Sequence, residues 1–515
     1  MTSLRVPHRV AVLLLVSMLV VTGLSVFAWA KGSPRTFRQI WGRLYQPLET
    51  RPAAELLKKK PTPGPDTMHR LQHWNEVAIN TSGLDHTPLA PGETRVFGEQ
   101  LGPGRASRAM AIVHLAMFEA MNAIDRRFES YLDMKPAHPG TSMDAAMAQA
   151  AHDTLVALFP SQAAHCDEML AEDLQTMEEG RPKRDGIALG ATAAAAILKR
   201  RANDGSDHDE PLLGTDFFPS DQPGFWRQDP IGQSPVALGA YWGDVKPFVI
   251  KSGSQFRVPP PPAMTSAEYL AAYNEVKRLG GDDVVTKTER TDDQSVAAIY
   301  WAYDGTPSLC APPRLYNQIA MQIADQMGSD VMETARVLVL VNVAMADAGV
   351  AIWESKYFYQ LWRPVTGIRE SDPGTGPTGL GDGNPATVGD PTFSPLGAPA
   401  SNVTGPNFTP PFPSYPSGHA GFGGAIFEML RNIYGTDDIP FTFVSDELNG
   451  VTRDNHGIIR PLIPRSFSSL SQAEEENGQS RIYLGIHWSF DKTEGIAQGR
   501  KIADYVFKHA FTPKH

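Results

Sequence analysis

Residues 331–364, VMETARVLVLVNVAMADAGVAIWESKYFYQLWRP, begin as an apolar run and end in a cluster of cations and aromatic rings. Apolar residues recur at helical spacing along the run, which predicts a helix over 331–362. Within it Lys356 and Arg363 are seven apart, two helical turns on nearly one face, with Trp353 beside them. Two long cationic side chains placed this way lean towards one anion. The guanidinium offers a planar fork of donors and the lysine a mobile point charge. Pro364 disfavours helical geometry in the residue before it, so the helix is expected to stop about where Arg363 leaves it.

Two further patches carry matching chemistry. PPFPSYPSGHAGFGGAIFEML, residues 410–430, passes from a proline-rich loop into an apolar helical segment. Ser417, Gly418 and His419 thus fall in a helix's first turn, where free backbone N–H groups and the helix dipole favour an anion. Gly418 permits close backbone approach, Ser417 offers a hydroxyl, and His419 gives or takes a proton near neutrality. RIYLGIHWSFD, residues 481–491, adds a guanidinium at Arg481, an imidazole at His487 and a carboxylate at Asp491 one turn beyond the imidazole. An acid at that offset orients the histidine or holds its proton. Singly, each patch reads as a helix end, a turn or a surface pair. In this order and spacing they read as one oxyanion site.

The constellation resembles the superfamily that vanadium-dependent haloperoxidases share with type-2 phosphatidic acid phosphatases; vanadate and phosphate are both tetrahedral oxyanions. Further stretches are similar to chloroperoxidase-like haloperoxidases. They are YWAYDGTPSLCAPPRLYNQIA (300–320), the run 340–370, PPFPSYPSGHAGFGGAIF followed by SDELNGVTRD, and GRASRAMAIVHLAMFEAMNAI (104–124). The likeness extends over about 102–508. It implies an all-α fold of two fused helical bundles with long connecting loops.

It also implies that His487 holds vanadium through a ring nitrogen, while Lys356, Arg363, Ser417, Gly418 and Arg481 hydrogen-bond the vanadate oxygens. His419 is the implied acid–base group and Lys356 the group that polarises bound hydrogen peroxide for attack by halide. Fixed positive charge suits that task because it needs no reorganisation during reaction. Trp353 and Phe412 match aromatic residues on the halide side of chloroperoxidase-like members and favour chloride-capable chemistry; packing alone also explains two such rings. Asp304, in YWAYDG, matches an acid that pairs with a site arginine and lysine, which eases the burial of several cations. Asp491 has its best-understood counterpart in the phosphatase branch, supporting a nucleophilic histidine.

Two other functions use the same residues. In an acid phosphatase His487 attacks a phosphate monoester and His419 protonates the leaving oxygen. A non-catalytic phosphate or vanadate binder needs donors and cations but neither histidine.

The rest of the chain sets bounds. Its 515 residues exceed one ordinary domain. A formal net charge of −11 disfavours nucleic acid or an anionic membrane surface as partner. The two cysteines, Cys166 and Cys310, form at most one bridge. Arg5 and Arg9 precede an apolar run that ends in Ala28-Trp29-Ala30, an export signal expected over residues 1–30. An uncleaved membrane anchor is the competing reading.

Residues 31–66 are proline-rich and basic and read as an extended arm. Residues 67–262 read as an N-terminal helical bundle with a loop-rich connection, and 263–515 as a C-terminal bundle carrying the oxyanion site. Helices are expected over 105–124, 143–159, 185–201, 266–279, 313–327, 417–434, 471–485 and 490–508, with no strands. The loop 371–415 is long enough to be functional and delivers Phe412. His114 reads as a core histidine, and the glycines of GFGG as sites of close helix packing.

Overall fold

The computed structural model describes residues 36–48, 64 and 66–514. The expected export signal and most of the expected arm lie outside them. In the first half, α1 (Phe37–Trp41) precedes α2 (Thr67–Asp85), α3 (Gly102–Asp125), α4 (Met143–Leu158), α5 (Ala163–Gln175) and α6 (Arg181–Arg201). After a loop-rich passage come α7 (Ala267–Leu279), α8 (Asp292–Tyr300), α9 (Pro313–Gln326), α10 (Val331–Tyr359) and the short α11 (Pro364–Arg369). The chain closes with α12 (Gly418–Tyr434), α13 (Leu470–Tyr483) and α14 (Ser489–His509).

Helix α10 is the axis of the molecule. Asp330 caps it by accepting from Met332 N and Glu333 N, and Glu333 reaches back to complete a capping box. By length and composition it is apolar enough to cross a membrane, yet 94% of its most apolar window is buried inside the protein. It packs against α3 of the first half and against α12 and α14 of the second. One hydrophobic cluster therefore runs from Leu71 to Phe511 across both halves. Each large aliphatic or aromatic side chain fully buried there contributes about 1.5–3 kcal/mol.

Three expectations are corrected. Helix α10 ends at Tyr359, because Gln360 takes a left-handed conformation at φ 50°; Arg363 is extended and caps α11. Lys356 and Arg363 therefore do not share a helix face. Strands are present: β3 (Phe441–Asn449) pairs antiparallel with β4 (Leu462–Phe467). The alternation in FTFVSDELN is masked because the inward set Phe441, Phe443, Ser445 and Glu447 ends in polar residues. Part of the expected arm, residues 36–48, is packed. Thr36 forms a capping box for α1, and β1 (Gln46–Pro47) pairs with β2 (Val403–Thr404). Ile40, Trp41 and Tyr45 thereby join a second core with Val403, Phe408 and Ile486. The pairing of Cys166 and Cys310, which the sequence left open, does not occur: both are buried and free.

His114 is a core residue. Its Nδ1 donates to Met110 O at 2.8 Å, its Nε2 meets the Asn75 amide at 2.9 Å, and burial pushes its pKa down to about 4.

Candidate active site

The last turns of α10 present Trp353 and Lys356 to the loop that carries Phe412. Trp353 Nε1 donates to Leu238 O at 3.1 Å, and its ring centroid lies 5.0 Å from that of Phe412. Lys356 is fully buried, and its Nζ donates to Pro413 O at 2.9 Å and Ser414 O at 2.8 Å. The ammonium lies 5.1 Å from the Phe412 ring centroid and 5.9 Å from that of Trp353. Burial first, then the Arg363 guanidinium, holds its pKa well below the usual lysine range, while Asp491 opposes the shift.

Arg363 reaches the same place from its turn. Its Nε donates to Phe412 O at 2.9 Å, and its Nη1 donates to Ile486 O at 2.9 Å and faces His487 Nε2 at 2.8 Å. Arg481, on α13, gives Nη2 to both oxygens of Asp304, at 2.7 and 2.9 Å. The expected partnership of Asp304 is thus made with an arginine only. Lys356 is satisfied by carbonyls instead. Burial pushes the Asp304 carboxyl up while Arg481 pulls it down.

The turn at Ser417–His419 is held by helix packing. Ser417 is the N-cap of α12, its Oγ accepting from Ala420 N at 3.4 Å, and its own N–H donates to Asp491 O at 2.9 Å. Helices α12 and α14 cross so closely that a Cβ on Gly499 would sit 2.1 Å from Gly421 O, and one on Gly495 would sit 2.7 Å from Ser417 O. Only glycine admits that approach. The GFGG glycines accordingly act in packing: a Cβ on Gly424 would lie 2.5 Å from Ile496 O. Gly418 differs, since a Cβ there would meet only the Trp353 ring, at an ordinary 3.5 Å. No protein group demands glycine at the turn.

His419 Nε2 donates to Ala302 O. A carbonyl only accepts, so Nδ1 is left to take a proton. Burial, then Arg481, holds the His419 pKa well below its ordinary value, with Lys356 and Arg363 adding to the effect. His487 precedes α14, and its Nδ1 donates to Asp491 Oδ2 at 2.8 Å. The same oxygen accepts from Trp488 N at 3.0 Å and from Ser414 Oγ. This tautomer makes Nε2 the acceptor of the ring, and its lone pair, which here takes the Arg363 Nη1 hydrogen bond at 2.8 Å, is the one a ligand would use in place of that bond. Burial, then Arg363, keeps His487 neutral, and burial pushes Asp491 up to about 6.

Arg481, His487, His419, Trp353 and Phe412 line one cavity of about 850 Å³, measured with its open mouth. Sequence reasoning missed Ser414, although it stands three residues before Ser417. It also missed the carbonyls of residues 302, 412 and 413, which carry no residue-type signal, and the wall supplied by Trp41 and Tyr45.

Comparison with known proteins places this geometry in a family. The VCPO second helical-bundle domain matches residues 336–513. The vanadium chloroperoxidase of Curvularia inaequalis is 30% identical over 501 residues, covering 81% of this chain and 78% of that protein. The chain belongs to the vanadium haloperoxidase family. The family's fold is shared with solved structures at lower identity. A bacterial vanadium-dependent iodoperoxidase superposes with a TM-score of 0.65 at 24% identity, covering 87% of this chain and 98% of its own. A holo-type bacterial vanadium-dependent chloroperoxidase gives 0.59 at 17%, covering 83% and 94%.

The residues present fit the family's vanadate. Among the described residues, the buried Nη2 of Arg363 and the buried Nε and Nη1 of Arg481 have no hydrogen-bond partner. Such donors are costly to bury unless something accepts from them. No group of three or more His, Cys, Asp or Glu is arranged for a bare metal cation among the described residues. One acceptor imidazole nitrogen, His487 Nε2, held only by the Arg363 guanidinium, instead matches a metal that arrives with its own oxygens.

Proposed function

We propose that this haloperoxidase oxidises chloride or bromide with hydrogen peroxide, with His487 Nε2 as the single protein ligand to vanadium. Arg363, Arg481, Lys356 and the Ser417–Gly418 turn are the donors to the vanadate oxygens. The observation that carries the reading is the set of partnerless guanidinium N–H groups beside an imidazole whose other nitrogen is committed to Asp491. When bound, vanadate supplies a Lewis-acidic centre at a fixed oxidation state on which peroxide becomes electrophilic towards halide.

The chain's own groups do the rest. Asp491 holds His487 in the ligating tautomer and balances the neighbouring cations. Lys356, dry and fixed by two carbonyls, places positive charge where peroxide develops negative charge, which is worth more in a buried site than in water. His419, held neutral, takes a proton at Nδ1 from incoming peroxide and returns it to departing oxygen. Trp353 and Phe412 form a dry aromatic wall from which a weakly hydrated halide approaches. Asp304 anchors Arg481 and limits the net charge of the pocket.

A second reading, phosphate-monoester hydrolysis by His487, is favoured by the His487–Asp491 bond, which would equally activate a nucleophile. Purified protein given orthovanadate, peroxide and chloride or bromide is expected to halogenate a dye. Absence of halogenation together with turnover of a phenyl phosphate refutes the proposal. We also propose export, from Arg5, Arg9 and the apolar run ending at Ala30; a mature N-terminus at Lys31 in the secreted or periplasmic fraction tests it.

A further inference from the structure

Trp353 borders two cavities. One is the oxyanion cavity; the other, about 200 Å³ measured with its open mouth, is lined by Arg105, Glu210, Gly239, Trp242 and Trp353. Leu238 lines both, at the centre of a backbone strap, residues 237–239. Its carbonyl accepts from Trp353 Nε1 at 3.1 Å and from Tyr357 Oη at 2.9 Å. Its N–H donates to Pro411 O at 2.9 Å, one residue before Phe412. A single residue thus ties the end of α10 to the Phe412 loop, and with it the 5.0 Å separation of the two ring centroids.

The strap is held by a strained glycine and a buried carboxylate. Gly239 takes φ +75°, and a Cβ there would sit 2.3 Å from Trp353 Nε1 and Cδ1, so its backbone lies directly on the edge of the indole. The Gly239 N–H donates to Glu210 Oε2. Glu210 Oε1 accepts from Arg105 Nη1, in the first turn of α3, and Arg105 Nη2 donates to His208 O. The next residue, Pro211, accepts from Ala237 N at 2.9 Å. Glu210 and Pro211 therefore grip the strap at both ends. Glu210 is 5% exposed and paired with a cation. A buried pair of this kind contributes little net stability over apolar packing; what this one supplies is a fixed acceptor for the Gly239 turn.

We infer that Glu210 is a positioning residue for the halide wall: by holding the Gly239 turn against the indole it keeps Trp353 and Phe412 at the spacing that excludes water, and so favours chloride relative to bromide. The inference rests on the haloperoxidase reading. Chloride is the more strongly hydrated of the two ions and the harder to oxidise. Water admitted beside the rings therefore lowers its reactivity more than that of the more polarisable bromide. Without the carboxylate the Gly239 N–H loses its acceptor, and the second cavity gives strap and ring room to retreat from Phe412.

The test compares Glu210→Ala with wild type, both vanadate-loaded, in steady-state oxidation of chloride and of bromide. The variant's kcat/KM is expected to fall about tenfold more for chloride than for bromide, about 1.4 kcal/mol of selectivity, with vanadate retention and a cooperative melt kept. Glu210→Gln keeps an oxygen for the Gly239 N–H and should return most of the ratio. Tyr357→Phe, which removes the second donor to Leu238 O, should shift the ratio in the same direction as the alanine variant and stands in for it if that variant fails to fold. In a Trp353→Phe background Glu210→Ala should change the ratio no further. Labelling with 5-fluorotryptophan reads the ring directly: of the nine tryptophan fluorine resonances, the one absent in Trp353→Phe is expected to move in Glu210→Ala. An unmoved resonance, an equal loss for both halides, or a ratio change that persists without Trp353 overturns the inference. A wild type that oxidises neither halide overturns the proposed function and the selectivity with it. An active wild type whose halide ratio survives Glu210→Ala overturns the selectivity alone.

Discussion

Replacing Asp491 by alanine removes one atom on which three donors converge. Oδ2 accepts from His487 Nδ1 at 2.8 Å, from Trp488 N at 3.0 Å and from Ser414 Oγ, all in a fully buried setting. Each orphaned donor costs roughly 1–3 kcal/mol. Removing a carboxylate that burial itself disfavours offsets part of this. A net destabilisation of a few kcal/mol is expected, small enough for a large single core to survive. The sharper effect is on His487, which loses both the partner that fixes its tautomer and the negative charge beside it. Loss of such a supporting partner costs about 10–100-fold in metal affinity, or about 1.4–2.8 kcal/mol. Equilibrium dialysis against orthovanadate, with retained vanadium counted by plasma mass spectrometry, measures the change; His487→Ala, expected to abolish tight retention, sets the scale. An Asp491→Ala protein that melts cooperatively and binds vanadate with wild-type affinity would refute the reasoning.

Lys356→Met should lower halide oxidation by about 10²–10³-fold while vanadate affinity shifts less than tenfold, seen as a fall in kcat under saturating vanadate. Gly499→Ala drives a Cβ into the Gly421 carbonyl and should destabilise by at least about 1–3 kcal/mol in urea unfolding, with weakened vanadate retention because Ser417 shifts. His114 is held down to about 4 against an ordinary 6.5. Between these values the unfolded chain binds the extra proton, so stability is full above pH 6.5 and falls by about 3 kcal/mol as pH drops to 4. His114→Gln should flatten that part of the stability profile; an unchanged slope would contradict a neutral buried histidine.

How much of this was legible beforehand differs from residue to residue. The first turn of α12 was, because a proline-rich lead-in and the apolar helical segment that follows it are local signals. The His487–Asp491 bond was too, since an offset of four at a helix start places the two groups together whatever surrounds them. Arg363 was placed near the right partners for the wrong reason. A left-handed Gln360 ends α10, and the guanidinium arrives from a separate turn. The β3–β4 hairpin was hidden by inward Ser445 and Glu447. Their burial is paid for by Tyr300 O, Tyr303 N and Arg460, groups distant in sequence.

Residue types and short-range periodicity thus determined the helices, the caps and the chemical inventory of the site, since these depend on contacts within a few residues. Tertiary structure alone decided which groups are spent and which are free. Two of the three Lys356 donors are taken by the carbonyls of 413 and 414, and Asp304 by Arg481, while buried N–H groups of Arg363 and Arg481 are left without acceptors. Whether a buried polar atom is satisfied depends on backbone brought from far along the chain, here by the glycine-mediated crossing of α12 and α14 and by β1 laid against β2, and no local pattern encodes it.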